Sequence, residues 1–177
     1  MSTVTVIRAV DCLAVPWKNG GGTTLEIAVF PPGASMDDFL WRLSMAKVTA
    51  PGSFSLFPGI NRTLAVLEGT LALSGKGIDA QLDSRSAPAE FDGGIAVYGQ
   101  PVGRPVLDLN AMARRSHHAV RMSRLTLGMQ TPSAGFLVAL APQTVSSHQL
   151  DTHDCVKYAE PILAGGPAII VTFTGRI

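Results

Sequence analysis

The chain has 177 residues and a formal net charge of +1; hydrophobic residues make up 46% of it and charged residues 15%. This hydrophobic content excludes an intrinsically disordered chain, and the near-neutral charge argues against nucleic acid as a main partner. No apolar run reaches the ~18 residues of a membrane span, so we expect no membrane segment.

The start of the chain, MSTVTVIRAVDCLAV, carries neither a basic leader nor a continuous apolar segment with a cleavage site. We therefore expect no signal peptide. Cys12 and Cys155 are the two cysteines, which is too few for a disulfide framework in a chain of this size. Both observations favour a cytoplasmic protein.

Turn signals rich in glycine and proline recur at short intervals, and β-branched or aromatic stretches lie between them. This pattern predicts an all-β fold with many short strands, arranged as a sandwich or a barrel. The predicted strands, in chain order, are residues 2–8, 23–30, 39–48, 63–67, 70–74, 79–83, 95–98, 105–110, 124–129, 135–140, 145–147, 155–159 and 168–174.

The segment DDFLWRLSMAKV has two interpretations. One face of a helix would hold Phe39, Leu40, Leu43 and Ala46. One face of a strand would equally hold Phe39, Trp41, Leu43 and Met45. Periodicity alone leaves both open.

Two polar stretches are interpreted as surface segments. RRSHHAVRMSR, residues 114–124, is rich in arginine and is expected to form a solvated loop. HQLDTHDC, residues 148–155, carries several metal-ligand side chains, but its spacing matches no standard zinc pattern, so a polar turn is expected.

Polar residues stand two positions apart on three predicted strands, in the pairs Thr24 and Glu26, Arg42 and Ser44, and Asp108 and Asn110. Side chains at this spacing share a face and lie ~6.6 Å apart along the strand. Such groups could converge on a small polar ligand. The same alternation is typical of a strand with one face in water, and the pattern leaves both interpretations open.

A glycine run follows Trp17, Lys18 and Asn19. Its residues, 20–22, allow positive φ and a close approach of the backbone. Lys18 could neutralise a carboxylate, and Asn19 could hydrogen-bond one. The alternative is a hairpin turn with a packed tryptophan.

Three longer segments together resemble the HutD/Ves family. They are PWKNGGGTTLEIAVFPPG (16–33), FLWRLSMAKVTAPGSFSLFPGINRTLAVLEG (39–69) and FDGGIAVYGQPVGRPVLDLNAMARR (91–115). The resemblance implies a cupin-type β-barrel built as a bicupin, with residues 39–48 as a strand. Residues 1–115 would form the half that carries the family motifs, and residues 116–177 would complete the second half of one compact unit.

The resemblance also implies a link to histidine utilisation, a pathway that family members are thought to govern. A small carboxylate of the formylglutamate type is the ligand suggested for the family. No enzymatic activity is firmly established for the family.

Metal-dependent cupins carry a signature of histidines and a glutamate. The corresponding stretch here, PGINRTLAVLEGTLALSG (58–75), keeps Gly59 and Gly69 but has no histidine. We therefore expect no metal and no other cofactor. Arg62 stands in this region instead, and a guanidinium can clamp a carboxylate through two hydrogen bonds.

We accordingly expect a metal-free protein that binds a small acidic metabolite through cations, amides and carboxylates that share one pocket. The predicted binding residues are Trp17, Lys18, Asn19, Thr24, Glu26, Arg42, Ser44, Ser55, Phe57, Arg62, Asp108 and Asn110.

Two other hypotheses stay open. An isomerase, hydrolase or lyase would use Glu26 or Asp108 as a general base and Lys18 or Tyr98 as an acid. An interaction protein would use the arginines at 114 and 115 to dock an acidic partner or nucleic acid. The sequence also leaves a homodimer open.

Overall fold

The computed structural model of the protein describes residues 4–17 and 20–176. These residues form strands and one short 3-10 turn, Ala9–Asp11, and no α-helix occurs among them. The predicted all-β class is therefore confirmed. The described part of the chain contains no helix long and apolar enough to cross a membrane.

The strands follow one another through short turns. They are β1 (Val4–Ile7), β2 (Ala14–Pro16), β3 (Gly22–Phe30), β4 (Trp41–Val48), β5 (Gly52–Ser53), β6 (Ile60–Glu68), β7 (Thr70–Gly75), β8 (Ile78–Asp83), β9 (Ala89–Asp92), β10 (Val97–Pro101), β11 (Val106–Arg114), β12 (His118–Leu125), β13 (Gly135–Ala139), β14 (Gln143–Val145), β15 (His148–Leu150), β16 (Cys155–Tyr158) and β17 (Ala168–Gly175).

The chain divides into two compact units. The larger unit consists of Leu13–Val120 with Thr174–Ile177, and the smaller unit consists of Met1–Cys12 with Arg121–Phe173. The sequence-based division into residues 1–115 and 116–177 as two cupin-like halves stays a prediction.

The larger unit contains two antiparallel sheets. One has six strands in the order β2-β3-β4-β11-β6-β9, and the other has four in the order β5-β10-β7-β8. Buried side chains from both sheets form one hydrophobic cluster, which includes Leu64 and Val66 from β6 and Leu71 and Leu73 from β7. Their burial removes apolar surface from water and so stabilises the pairing of the sheets.

The smaller unit is built on a five-stranded sheet in the order β1-β16-β13-β17-β12, and β14 pairs with β15 as a separate hairpin. Leu137, Val156 and Ile170 lie in its hydrophobic cluster. The buried carboxylate of Asp154 accepts a hydrogen bond from the Ala9 backbone N–H at 2.9 Å, which holds the 3-10 turn onto the unit.

The predicted closed barrel is not found. Within the described residues the strands form four open sheets, and the six-stranded sheet ends in β2 on one side and β9 on the other.

The ambiguous segment 39–48 is a strand, β4, as the resemblance implied. The strand predicted at 124–129 is wrong, because β12 ends at Leu125 and a turn follows with Gly128 at φ 78°. Leu127 and Met129, which lie beyond the end of β12, are 74% and 46% exposed. The loop expected at 114–124 is also wrong for most of its length, because β12 begins at His118.

Candidate functional site

A polar face runs across three neighbouring strands of the six-stranded sheet. The antiparallel register places Glu26 of β3 opposite Ser44 of β4, and Ser44 opposite Asn110 of β11. Leu43 and Met45, which alternate with Ser44 along β4, are buried on the opposite face. The two-residue spacing seen in the sequence therefore corresponds to one continuous face of a sheet.

This face lines a cavity of about 700 Å³. Every predicted binding residue that the structure describes lies in the lining: Trp17, Thr24, Glu26, Arg42, Ser44, Ser55, Phe57, Arg62, Asp108 and Asn110. Lys18 and Asn19 lie outside the described residues. The structure thus brings together side chains from all three of the segments 16–33, 39–69 and 91–115.

The lining also contains residues that sequence reasoning missed, among them Met36, Phe54 and Met112. Met112 continues the two-residue spacing of Asp108 and Asn110, so extending the predicted strand would have found it. Met36 and Phe54 come from segments outside regular alternation, and no sequence signal marks them.

Trp17 is seated against the start of β3. Its backbone N–H donates to the Gly22 carbonyl, and its indole Nε1 donates to Thr24 Oγ1, both at 2.8 Å. A Cβ at Gly22 would lie 2.6 Å from the Lys47 carbonyl oxygen and 2.9 Å from the Trp17 ring. Glycine is required here because the ring packs directly on the backbone. The hairpin with a packed tryptophan is therefore present.

Arg42 and Glu26 form an ion pair beside the cavity. Arg42 Nε donates to Glu26 Oε2 at 3.0 Å, and Arg42 Nη1 lies 2.7 Å from the Met36 sulfur. The Glu26 side chain is 40% exposed, whereas that of Arg42 is 12% exposed. The pair neutralises most of the charge that Arg42 would otherwise bring to the cavity.

Arg62 is buried among aromatic rings. Its Cζ lies 5.2 Å from the ring centre of Phe54, 5.7 Å from that of Phe57 and 5.3 Å from that of Phe91. A cation in this position is attracted to the faces of the rings. Nη1 donates to the Ser55 carbonyl at 3.2 Å, but Nε has no hydrogen-bond partner within residues 4–17 and 20–176.

Asp108 and Asn110 leave polar atoms unsatisfied in the same lining. Asp108 is 1% exposed and Asn110 is 8% exposed, and in the described part of the chain the Oδ1 atom of each lacks a hydrogen-bond partner. Buried polar atoms without partners are rare in folded proteins because each costs free energy. Three such atoms in one cavity, with Arg62 Nε as the third, indicate a place where a polar ligand can bind.

Burial also shifts the pKa values of Asp108 and Arg62. It raises the pKa of Asp108 to about 7, although the positive charge of Arg62 opposes the change. It lowers the pKa of Arg62 to about 10, against the influence of Asp108. At neutral pH Arg62 therefore stays charged, while Asp108 is close to its midpoint.

The other candidate groups lie elsewhere. Tyr98 is 44% exposed on β10 and is not in the cavity lining, so its expected role as an acid partner there is wrong. Arg114 Nη2 donates to the Asp37 carbonyl at 3.0 Å, and Arg115 Nη2 pairs with Asp92 Oδ1 at 2.6 Å. Both arginines are thus held by the chain itself.

Over residues 4–17 and 20–176 no group of three or more histidine, cysteine, aspartate and glutamate side chains could hold a metal ion. The donor set of the cavity is instead guanidinium, amide, hydroxyl and carboxyl groups. This set suits hydrogen bonding to an organic anion.

The sequence matches the HutD family model over residues 9–166. It is 46% identical over 172 residues to a 21.2 kDa protein from the hutC 3' region of Pseudomonas putida, an alignment that covers 89% of this chain and 87% of that protein. It is also 41% identical over 101 residues to Protein Ves of Citrobacter koseri. That alignment covers 56% of this chain and 52% of its relative, so the chain spans about half the length of this curated relative.

A solved structure, that of HutD from Pseudomonas fluorescens SBW25, is similar over almost the whole molecule. The TM-score is 0.88 at 27% identity, and the alignment covers 99% of this chain and 100% of that one. The family model, the relatives and this structure all indicate the same family. This all-β, cupin-like chain belongs to the HutD/Ves family.

Proposed function

We propose that this protein is a metal-free binding protein for a small acidic metabolite and that it regulates histidine utilisation in the cytoplasm. The observation that carries the binding is the buried Arg62, whose Nε has no hydrogen-bond partner among the described residues and whose side chain lines a cavity. The relative from the hutC 3' region of Pseudomonas putida supports the pathway. In this proposal the cavity belongs to the first of two cupin-like halves.

The size of the cavity supports a small molecule. Its volume of about 700 Å³ lies within the ~300–1,000 Å³ that is typical of sites for metabolites and drug-sized ligands. Part of the cavity lining is apolar. Its side chains of Phe57 and Met112 would contact the carbon chain of the ligand.

The positions of the two cations support a ligand with two acid groups. Met112 of β11 pairs with Arg42 on one side and with Arg62 on the other. The two arginines therefore stand two strands apart, about 10 Å between their Cα atoms. A formylglutamate-like dicarboxylate would place one acid group at the charged Arg62. It would extend the other towards Arg42, whose charge Glu26 largely balances but whose guanidinium keeps N–H donors besides the Nε that Glu26 accepts from.

The test is calorimetric titration of the purified protein with N-formyl-L-glutamate, L-glutamate and urocanate. We expect N-formyl-L-glutamate to bind with a Kd below about 1 mM, a free energy of about −4 kcal/mol or better. We expect Arg62→Met to weaken this binding at least tenfold, whereas Lys47→Met, an equal charge loss at an exposed site on the same sheet, should keep it. The absence of heat at millimolar ligand would contradict the proposal.

A second candidate function, an enzyme, is favoured by one observation. Asp108 is a buried carboxyl in a cavity with its pKa raised to about 7, which is the property of a general acid or base that works at neutral pH. Proton NMR spectra of each ligand, recorded over hours with the protein, separate the two functions. New ligand resonances that disappear with Asp108→Asn would favour the enzyme, and unchanged spectra favour binding.

A further inference from the structure

Asp108 is the most deeply buried polar group of the cavity, and nothing described around it neutralises a negative charge by contact. We infer that an anion binds in this cavity together with a proton: the protonated carboxyl of Asp108 donates a hydrogen bond to the ligand while Arg62 supplies the positive charge. The inference rests on the proposed function and names Asp108 as the residue that makes the cavity selective for anions.

The immediate neighbours of Asp108 are apolar. Across β4 it pairs with Ala46, and across β6 it pairs with Val66. Asp108 itself is 1% exposed, and no described residue forms a hydrogen bond with its Oδ1. An ionised carboxylate between these two side chains would carry a large desolvation cost, whereas the neutral acid carries much less.

The charged groups in the cavity come from three strands. Among the described residues they are Arg62 from β6, Arg42 from β4 and Glu26 from β3, while β11 itself adds the neutral side chains of Asn110 and Met112. Arg42 is paired with Glu26. None of these groups forms an ion pair with Asp108 within 4 Å in the described part of the chain.

The backbone register explains why Arg62 does not pair with Asp108. Arg62 stands opposite Met112 of β11. Met112 and Asp108 share a face of β11 but are four residues apart, so their Cα atoms are about 13 Å from each other. The three phenylalanine rings and the Ser55 carbonyl hold the guanidinium where it is. Both groups can therefore touch one ligand without touching each other.

The proton on Asp108 decides the charge of the cavity. With Asp108 neutral and the Arg42–Glu26 pair balanced, the described residues leave the cavity with one net positive charge. With Asp108 ionised, the described side chains of the lining have no net positive charge, so they attract an anion less strongly. The raised pKa of Asp108 means that the free protein can hold this proton near neutral pH. A bound anion adds a negative charge nearby, which raises the pKa of Asp108 further and favours the protonated carboxyl.

The proton comes from water or from a buffer acid and stays on the Asp108 carboxyl, and no other bond forms or breaks. Above pH 7 the free protein must take up this proton in order to bind. We therefore expect affinity to fall about tenfold for each pH unit above 7.

The experiment measures the binding heat of N-formyl-L-glutamate at pH 8 in HEPES and in Tris, two buffers with different ionisation enthalpies. The difference in heat gives the number of protons taken up, which we expect to approach one. Asp108→Asn should show no uptake and a flat pH dependence. Asp79→Asn, an equal charge change at an exposed site on β8, should behave as the wild type.

A measurement without ligand keeps the inference testable even if Asp108→Asn does not fold. The carboxyl ¹³C resonance of Asp108 should titrate near pH 7 in the free protein, and a midpoint below pH 5 would overturn the inference. Binding with no proton uptake would also overturn it but would leave the proposed function standing. Failure of the probe to bind while Asp108 titrates near pH 7 would instead overturn the proposed function, and the inference with it.

Discussion

At the scale of single residues, Arg62 shows what one sequence can and cannot reveal. The absence of metal-binding histidines from the 58–75 segment drew attention to this arginine, and the structure places it in the cavity. Phe57 was among the predicted binding residues, but the contacts of Phe54 and Phe91 with the guanidinium could not be predicted, because Phe54 comes from a loop and Phe91 comes from β9. The contact with Phe91, which is distant from Arg62 in the sequence, depends on the tertiary fold.

Replacing Arg62 by methionine separates stability from binding. A buried cation contributes little to stability once its desolvation is counted, and an apolar side chain of similar length often replaces it without loss. Methionine also packs well against aromatic rings. We expect Arg62→Met to melt at or above the temperature of the wild type and to bind N-formyl-L-glutamate at least tenfold more weakly.

Differential scanning fluorimetry and calorimetric titration check the two parts of this prediction. Lys47→Met serves as the control for both, because Lys47 is exposed and lies on the opposite face of β4. A methionine variant with full affinity would show that Arg62 is only a structural residue.

At the scale of strands, the polar alternation was visible in the sequence, but the direction in which it faced was not. Thr24 and Glu26 on β3 would have the same spacing on a solvated sheet face. The cavity lining shows that their face is the inner one. Register is fixed by pairing with β4 and β11, and a single sequence carries no direct record of pairing.

The ion pair between β3 and β4 leads to a second prediction. Because the Glu26 side chain is 40% exposed, the pair contributes at most about 1 kcal/mol to stability. Glu26→Gln frees the charge of Arg42 for the cavity, so we expect anion affinity to rise several-fold while the free energy of unfolding changes by less than about 1 kcal/mol.

Titrations with N-formyl-L-glutamate at low and at high salt measure this effect, which screening by salt should reduce. Asp79→Asn has the same charge change outside the cavity and should leave affinity unchanged. An equal gain in both variants would assign the effect to net charge and not to Arg42.

At the scale of the whole molecule, composition was enough for the all-β class but not for the arrangement of sheets. Short strands separated by glycine and proline turns fit a closed barrel and a set of open sheets equally well. The two compact units are also unmarked in the sequence, because the smaller one joins residues from the two ends of the chain. Neither the closure of a barrel nor the joining of distant chain segments into one unit produces a periodic pattern in the sequence.

The stability of the whole fold should depend on pH through Asp108. The pKa of this group is about 7 in the folded protein and about 3.8 without the influence of the fold. Between these values the folded state binds one proton more than the unfolded state, so this group makes stability fall as pH rises from about 4 to 7 and adds no further change above that range. Other carboxyl groups act in the opposite direction: burial alone would raise the pKa of Asp154, but hydrogen bonds from Ala9 and Arg8 hold it below its usual value.

Comparison of the wild type with Asp108→Asn isolates the contribution of this one group. Urea unfolding at several pH values from 4.5 to 7.5 should show the variant gaining stability relative to the wild type by about 3 kcal/mol across the range, since each pKa unit corresponds to about 1.4 kcal/mol. Asp79→Asn should run parallel to the wild type. A constant difference between Asp108→Asn and the wild type at every pH would mean that Asp108 is ionised in the folded protein, and the buried carboxyl would then need a cation that pairs with it.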